Sequence, residues 1–158
     1  MGENREELGG SQYLNIIHKM AKGNSPQLNL EKEKSIHGAV MKLIKEGLLS
    51  SAHDCSEGGL AVTLAESCIL AKLGAVITIS ENIRKDALLF GETQSRIIIS
   101  APPENRKRVE SICKEFNLKC SLIGEVKGSF LKIDELINLS IADLEKAYRQ
   151  AIPKIIES

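Results

Sequence analysis

The sequence has few aromatic side chains and no excess of either charge. Phe, Trp and Tyr make up 3% of the 158 residues, and tryptophan is absent. Lys plus Arg and Asp plus Glu number 21 each. So few rings leave little for single-stranded nucleic acid to stack on, and balanced charge gives no general attraction to nucleic acid or an anionic membrane. We therefore expect neither nucleic acid nor a membrane as a partner.

Long apolar runs and paired cysteines are also missing. The N-terminal segment MGENREELGG is charged where a signal peptide is apolar, and no apolar run approaches the roughly 20 residues that span a bilayer. The four cysteines, Cys55, Cys68, Cys113 and Cys120, form no CxxC pair. We expect a soluble, cytoplasmic protein with reduced thiols, without a structural zinc or a structural disulfide.

The composition that remains, 42% hydrophobic and 27% charged, is that of an ordinary globular domain. Residues 1–10 are polar and predict a linker or tail from a preceding domain, whereas residues 11–158 predict one domain. Helical and strand patterns alternate along that domain, which predicts an α+β fold with α/β-like alternation and a mixed β-sheet flanked by helices.

Several local patterns place these elements. Asn29 is a candidate N-cap for a helix, and Gly47 has the position of a C-terminal glycine. The segments GAVITIS and RIIISA predict buried strands, separated by a helix over ENIRKDALLF. KCSLIGEV and SFLKI, joined at Lys127-Gly128, predict a hairpin. Further helices are predicted over 60–72, 104–116 and 142–151.

The segment HDCSEGGL, from His53 to Leu60, carries the first chemical motif. Asp54 ends a short strand, and Ser56 and Glu57 precede Gly58-Gly59 and a helix. Free N–H groups at a helix N-terminus favour an anion such as phosphate, and the carboxylates favour a hydrated Mg²⁺ beside it, with Asp54 as the metal ligand. The alternative is a helix cap whose glycines only permit close packing.

Two further segments show related patterns. In FGETQSR, the side chains of Glu92, Ser95 and Arg96 crowd one turn before a strand. Arg96 can fork onto a phosphate, although the pattern favours a salt bridge with Glu92. In ELGGSQYL, Gly9, Gly10 and Ser11 precede a helix, which favours Ser11 as its N-cap over an anion site.

Together, HDCSEGGLAVTLAE, FGETQSRIIIS and ELGGSQYL resemble the C-terminal domain of phosphoribosylformylglycinamidine synthase, in the aminoimidazole ribonucleotide synthetase superfamily. The resemblance covers nearly the whole chain. It implies the C-terminal-domain fold of that superfamily and an ATP- and Mg²⁺-dependent ligase of purine biosynthesis. Formylglycinamide ribonucleotide, ATP and glutamine-derived ammonia would yield formylglycinamidine ribonucleotide, ADP and phosphate.

The resemblance also implies partners and a set of site residues. The partners are the N-terminal part of the same subunit, a glutaminase subunit and a small accessory subunit, without which we expect the chain to be inactive. The residues carried over as lying near a nucleotide or phosphate are Asp54, Ser56, Glu57, Gly58, Gly59, Glu92, Ser95, Arg96, Gly9, Gly10 and Ser11. The Asp54 loop fits either the catalytic or the structural one of two pseudo-symmetric sites.

Two other functions stay open on the sequence. The first is an aminoimidazole ribonucleotide synthetase-like enzyme domain. The GETQSR turn favours phosphoribosylformylglycinamidine synthase over this alternative. The second is a non-catalytic docking module, for which Leu14 and Ile17 on the first helix are the candidate contact residues.

Overall fold

A computed structural model describes residues 1–156, which form two compact units. The first unit comprises residues 1–63 and 82–121, and the described part of the second comprises residues 64–81 and 122–156. The helices are α1 Gln12–His18, α2 Leu30–Lys45, α3 Gly59–Ala71, α4 Lys85–Phe90, α5 Arg106–Glu115 and α6 Ile141–Ile156. The strands are β1 Ser51–Asp54, β2 Ala75–Ile77, β3 Ile97–Ser100, β4 Gly124–Val126, β5 Phe130–Ile133 and β6 Ile137–Ser140.

The first unit contains α1, α2, α4, α5 and an antiparallel pair of strands, β1 and β3, in which Asp54 lies opposite Ile97. Its core is formed by α2 and α5, whose buried side chains are Ala39, Leu43, Val109, Ile112 and Cys113. These side chains recur every three or four residues on each helix, so both helices bury one face.

The helix ends agree with the caps read from the sequence. The Asn29 Oδ1 accepts hydrogen bonds from the backbone N–H groups of Glu31 (3.1 Å) and Lys32 (3.0 Å), which confirms the predicted N-cap of α2. Gly47, just past α2, has a positive φ of 66°, as a C-terminal glycine requires. The predicted helix over 104–116 begins with a short 3₁₀ turn, Pro103–Asn105, and continues as α5.

The second unit contains a four-stranded mixed sheet in the order β4-β2-β5-β6, together with α6. Strand β2 runs antiparallel to β4 and parallel to β5. Its core-facing side chains are Ala75, Ile77, Leu131 and Ile133, which alternate along the two strands and are buried. The prediction of a mixed sheet with helices is therefore confirmed.

The predicted hairpin between KCSLIGEV and SFLKI is wrong. The two strands lie on opposite sides of β2 and do not pair with each other. Gly74, just before β2, inserts at the turn: its N–H donates to the Gly128 carbonyl (2.8 Å), and its own carbonyl accepts from the Lys127 N–H (2.9 Å). A Cβ at Gly74 would lie 2.4 Å from the Phe130 carbonyl oxygen, so this insertion requires glycine.

Some boundaries also differ from the predictions. The strand GAVITIS is ordered as β2 only over Ala75–Ile77, and α4 begins at Lys85 rather than at the start of ENIRKDALLF. Strand β6, which pairs antiparallel with β5, has no predicted counterpart. Among residues 1–156, no helix is long and apolar enough to cross a membrane.

Residues 1–10 are part of the first unit and contact its other segments through their backbone. The Met1 amino group donates to the Ile97 carbonyl (2.8 Å), the Ile97 N–H donates back to the Met1 carbonyl (3.0 Å), and the Gly2 N–H donates to the Lys119 carbonyl (3.1 Å). That these residues connect to a preceding domain stays a prediction.

Candidate functional site

The loop between β1 and α3 is held in place by its backbone and by one buried threonine. Thr63 is 2% exposed, and its hydroxyl group lies at hydrogen-bond distance from two acceptors. These are the Asp54 carbonyl (3.1 Å) and the Gly59 carbonyl (3.0 Å). The Cys55 N–H donates to the Arg96 carbonyl (2.9 Å), and the Gly59 N–H donates to the Ser56 carbonyl (3.0 Å). The end of the strand and the start of the helix are therefore tied together.

The polar side chains of this loop are accessible to solvent. Ser56 and Glu57 are exposed, and the Asp54 side chain is 71% exposed. The His53 Nδ1 lies 3.5 Å from the Asp54 Oδ1. The loop thus combines a fixed backbone with accessible oxygen atoms.

The Glu92 carboxylate connects the three chemical segments found in the sequence. Its Oε1 accepts a hydrogen bond from the Gly58 N–H (2.9 Å), directly before α3. The same oxygen accepts one from the Gln12 N–H (2.9 Å), the first residue of α1. Helix N-termini present unpaired N–H groups and partial positive charge, which stabilise an anion. Here that anion is a carboxylate of the protein itself.

Ser11 caps α1 beside this contact. It is 1% exposed, and its Oγ accepts a hydrogen bond from the Leu14 N–H (3.3 Å). This confirms the favoured interpretation of Ser11 as a helix cap. Gly9 packs tightly, since a Cβ there would lie 2.0 Å from the Asn24 carbonyl oxygen, whereas Gly10 has open space around it.

Gly59 allows the α3 N-terminus to lie directly against the chain after α4. Its φ is +62°, and a Cβ at this position would lie 2.4 Å from the Gly91 carbonyl oxygen and 2.9 Å from the Phe90 carbonyl carbon. Both the conformation and the contact disfavour any side chain. The close-packing interpretation of the glycine pair therefore describes Gly59.

Arg96 is buried, at 5% exposure, and organises the GETQSR turn from within. Its Nε donates to the Thr93 carbonyl (3.1 Å), its Nη2 to the Gly91 carbonyl and its Nη1 to the Asn4 Oδ1 (2.8 Å). Through these bonds the guanidinium orders the turn on which Glu92 lies, because its donors are fixed to the backbone on both sides of that residue. The salt bridge to Glu92 favoured from the sequence stays a prediction.

Ser95 has a left-handed backbone, with φ 58°, and its Oγ donates to the Glu33 Oε2. Ser95 therefore joins the turn to α2. Tyr13 and Phe90 stack with ring centroids 4.9 Å apart and an interplanar angle of 1°. This contact adds an apolar link between α1 and α4 next to Glu92.

The structural partners of the site were not singled out in the sequence. They are Asn4, Gln12, Glu33, Thr63 and Gly91. Only Thr63 has a local signal, since a threonine four residues after the glycine that starts a helix can bond back to the preceding turn. The other four depend on contacts between segments distant in the chain.

No group of three or more His, Cys, Asp or Glu side chains suited to hold a metal ion occurs within residues 1–156. Magnesium, however, needs only one or two protein carboxylates when phosphate oxygens and water complete its shell. The exposed Asp54 carboxylate fits that limited share of the ligands.

Comparison with known proteins agrees with the resemblance. The family model described as AIR synthase related protein, C-terminal domain, matches residues 1–133. The phosphoribosylformylglycinamidine synthase subunit PurL of Moorella thermoacetica is 42% identical over 160 residues, which covers 99% of this chain and 22% of that protein. The chain thus spans about a fifth of the length of this relative.

Solved structures show the same fold. A structure of PurLQS from Thermotoga maritima has a TM-score of 0.70 and 17% identity, covering 91% of this chain and 27% of that one. T. maritima PurL complexed with ATP has a TM-score of 0.69 and 18% identity, covering 91% and 26%. Because the family model extends over most of the sequence, the chain belongs to the AIR synthase related protein, C-terminal domain family.

Proposed function

We propose that this chain acts as the C-terminal domain of a phosphoribosylformylglycinamidine synthase, an ATP-dependent ligase of purine biosynthesis. The complete enzyme would convert formylglycinamide ribonucleotide, ATP and glutamine-derived ammonia to formylglycinamidine ribonucleotide, ADP and phosphate. Support comes from the 42% identity with the PurL subunit of M. thermoacetica and from the fold shared with a PurL complexed with ATP.

The observation that carries the proposal is the convergence at Glu92. The three segments that bear the resemblance are separated by up to about eighty positions in the chain. Even so, one carboxylate oxygen of Glu92, in the third segment, accepts a hydrogen bond from each of the other two. A backbone held at fixed positions is what a phosphoryl-transfer site needs in order to position its reacting groups.

Within this site we propose two layers of residues. The exposed Asp54, Ser56 and Glu57 would face the nucleotide or phosphate-bearing ligand. Gly58 and Gly59 would set the backbone of this loop near the ligand, since the Gly58 N–H donates to Glu92 and Gly59 packs against Gly91. Asp54 would contribute a carboxylate to Mg²⁺, which neutralises phosphate charge when bound. ATP would supply the phosphoryl group that activates the formamide oxygen.

The second layer supports the first. Glu92, Ser95 and Arg96 would hold the turn behind the loop, and Gly9, Gly10 and Ser11 would hold the entrance to α1 at a junction with the rest of the subunit. These residues would act by positioning the loop that lies near the ligand. Their hydrogen bonds within the protein support this role.

The isolated chain is expected to be inactive, because it spans about a fifth of its relatives' length. The proposed partners are the remainder of the subunit, a glutaminase subunit and a small accessory subunit, with no role for nucleic acid or membranes. A cytoplasmic location is proposed with them.

Asp54→Asn tests the proposed role of the loop. In a mixture with the remainder of the subunit, ATP, Mg²⁺, formylglycinamide ribonucleotide and ammonia, we expect ADP release to fall at least roughly tenfold, since a metal-ligating carboxylate is lost. Unfolding in urea should be unchanged, because the side chain is 71% exposed. Glu104→Gln, which alters another exposed carboxylate of the first unit, serves as the matched control.

The same assay separates the alternatives. Activity unaffected by Asp54→Asn would remove the proposed metal role, and ADP release that formylglycinamidine ribonucleotide sustains without ammonia would favour the aminoimidazole ribonucleotide synthetase-like function. No activity in any mixture would overturn the ligase proposal.

A docking module is a second candidate, favoured by the exposed apolar side of α1. Of the two contact residues expected from the sequence, Ile17 is 61% exposed, whereas Leu14 is partly buried. Ile16, which was not expected, is 58% exposed, and α1 has no fully buried residue. Clustered apolar exposure of this kind marks contact surfaces. Isothermal titration that detects ATP binding by the chain alone would argue against a purely docking function.

A further inference from the structure

Helix α6 leaves the core of the second unit after its first turn. Among its described residues, 141–156, only Ile141 is buried, and residues 146–156 are all exposed. A short helix without packing is marginal in water, because most helical stability in proteins comes from burying one apolar face. Pro153 weakens this helix further, since proline donates no backbone hydrogen bond. The outer part of α6 is therefore expected to be stable only when another surface covers it.

The exposed part of α6 carries an apolar stripe that such a surface can cover. The stripe is a row of apolar residues at intervals of four, which lie on one side of a helix: Leu144, Tyr148, Ile152 and Ile156. Leu144 is partly buried, whereas Tyr148, Ile152 and Ile156 are 61%, 68% and 78% exposed. A contiguous apolar surface of this kind marks an interaction site.

The charged residues beside the stripe are arranged to match a second copy of the same helix. On one border Glu145 precedes Arg149, and on the other border Asp143 precedes Lys154. Each border therefore runs from acidic to basic along the helix. When two copies of a helix pack antiparallel about a two-fold axis, each border faces the same border of the partner. An axis near Tyr148 places Glu145 opposite the partner's Arg149. The same axis places Asp143 opposite the partner's Lys154.

The charges favour an antiparallel over a parallel pair of helices. A parallel pair would bring acidic residues next to acidic residues and basic next to basic, which is unfavourable. An antiparallel pair also sets the two helix dipoles in opposite directions. Within one copy, the Arg149 Nε donates to the Glu145 Oε1 (2.7 Å), so these two side chains already lie along the same border.

We propose that α6 is a dimerisation surface, on which a second copy of this chain packs its own α6 antiparallel about a two-fold axis near Tyr148. A two-fold dimer requires a surface that is complementary to itself, as this one is. Two short stripes bury an area at the lower end of stable interfaces, so we expect a dissociation constant on the order of tens of micromolar. Helix α6 belongs to the second unit and the Glu92 cluster to the first, so this inference does not depend on the proposed ligase function.

Sedimentation equilibrium of the chain, at concentrations from about 1 to 500 μM, tests the proposal. The apparent mass should rise with concentration from 17.3 kDa towards twice that value. Ile152→Glu should weaken the association at least roughly tenfold, because it places a charge in the apolar contact. Leu70→Glu is the matched control, since it makes the same change at a helical position outside α6 that is 77% exposed, and should leave the association unchanged. Circular dichroism at low concentration checks that both variants remain folded.

Two charge-reversing variants test the antiparallel arrangement. Glu145→Lys and Arg149→Glu should each associate at least roughly threefold more weakly than the unmodified chain, because each brings like charges together at two symmetric positions. An equimolar mixture of the two should recover the association as a heterodimer, since opposite charges then meet.

Three results of these measurements would overturn the proposal: a chain that stays monomeric at every concentration, an association that Ile152→Glu does not weaken, or a mixture of the charge variants that does not recover. Hydrogen exchange of the α6 amides that slows only when the remainder of the subunit is added would also overturn it, and would assign the stripe to that part of the protein.

Discussion

Replacing Glu92 with alanine is expected to lower the free energy of unfolding by about 2–3 kcal/mol, because two helix N-terminal N–H groups lose their acceptor at once. The Gly58 and Gln12 N–H groups both donate to its Oε1 at 2.9 Å. The loss should be visible in urea denaturation as a lower midpoint with an unchanged slope. In the proposed assay with the remainder of the subunit, ADP release should also fall, because the Asp54 loop loses the hydrogen bonds that hold it in place.

Two variants serve as controls for this result. Glu92→Gln keeps an oxygen acceptor and loses only the charge, so its cost should stay near the ~1 kcal/mol of a helix-dipole interaction. Glu57→Ala removes an exposed carboxylate from the same loop and should change stability by less than about 0.5 kcal/mol. Equal stability of Glu92→Ala and Glu57→Ala would show that the Glu92 bridge contributes nothing.

Gly59→Ala is expected to have the larger effect, a loss of about 3 kcal/mol or more, because backbone strain adds to a steric overlap with main-chain atoms. The added Cβ would lie 2.4 Å from the Gly91 carbonyl oxygen, and the backbone there cannot move without disturbing the Arg96 hydrogen bond to that carbonyl. Thermal unfolding followed by circular dichroism would measure the loss as a lower Tm.

Gly10→Ala is the matched control for Gly59→Ala. Gly10 has a similar φ of +71°, but no atom lies within 4 Å of a Cβ built there. Only the conformational cost remains, which is about 1–2 kcal/mol for a left-handed residue. If both alanine variants lose the same stability, the contact with Gly91 has no energetic weight.

Much of the fold could be predicted from local patterns. The N-cap at Asn29, the glycine after α2 and the strand Ser51–Asp54 all depend on residues within a few positions of each other, and the structure confirms each. Helix α3 was predicted within one residue of its observed ends for the same reason. Short-range hydrogen bonds and side-chain periodicity are sufficient to define such elements.

The hairpin was wrong because its local signal competes with a more distant strand. Lys127-Gly128 has the composition of a tight turn, but β2, some fifty residues earlier, pairs with both neighbouring strands. Gly74 allows this insertion because it has no side chain, and a Cβ there would overlap the Phe130 carbonyl oxygen. Nothing within the KCSLIGEV or SFLKI segments reports on that pairing, so a single sequence does not reveal it.

In the candidate site, too, features set by neighbouring residues could be predicted, and features set by distant contacts could not. Each of its three segments could be identified from its own residues, including Ser11 as a cap. The bridge through Glu92 and the internal bonding of Arg96 depend on contacts across the fold, with partners such as Gln12 and Asn4 that have ordinary sequence surroundings. Residue type therefore pointed to polar chemistry, whereas only the structure separates the supporting residues from the exposed ones.

The most direct test of the Glu92 bridge is backbone amide hydrogen exchange followed by NMR. If one carboxylate accepts from both N–H groups, the Gly58 and Gln12 amides should exchange slowly in the unmodified chain and should both exchange at least roughly tenfold faster in Glu92→Ala. Both amides should stay protected in Glu57→Ala. Protection of either amide that persists in Glu92→Ala would contradict the convergence of the three segments on this carboxylate.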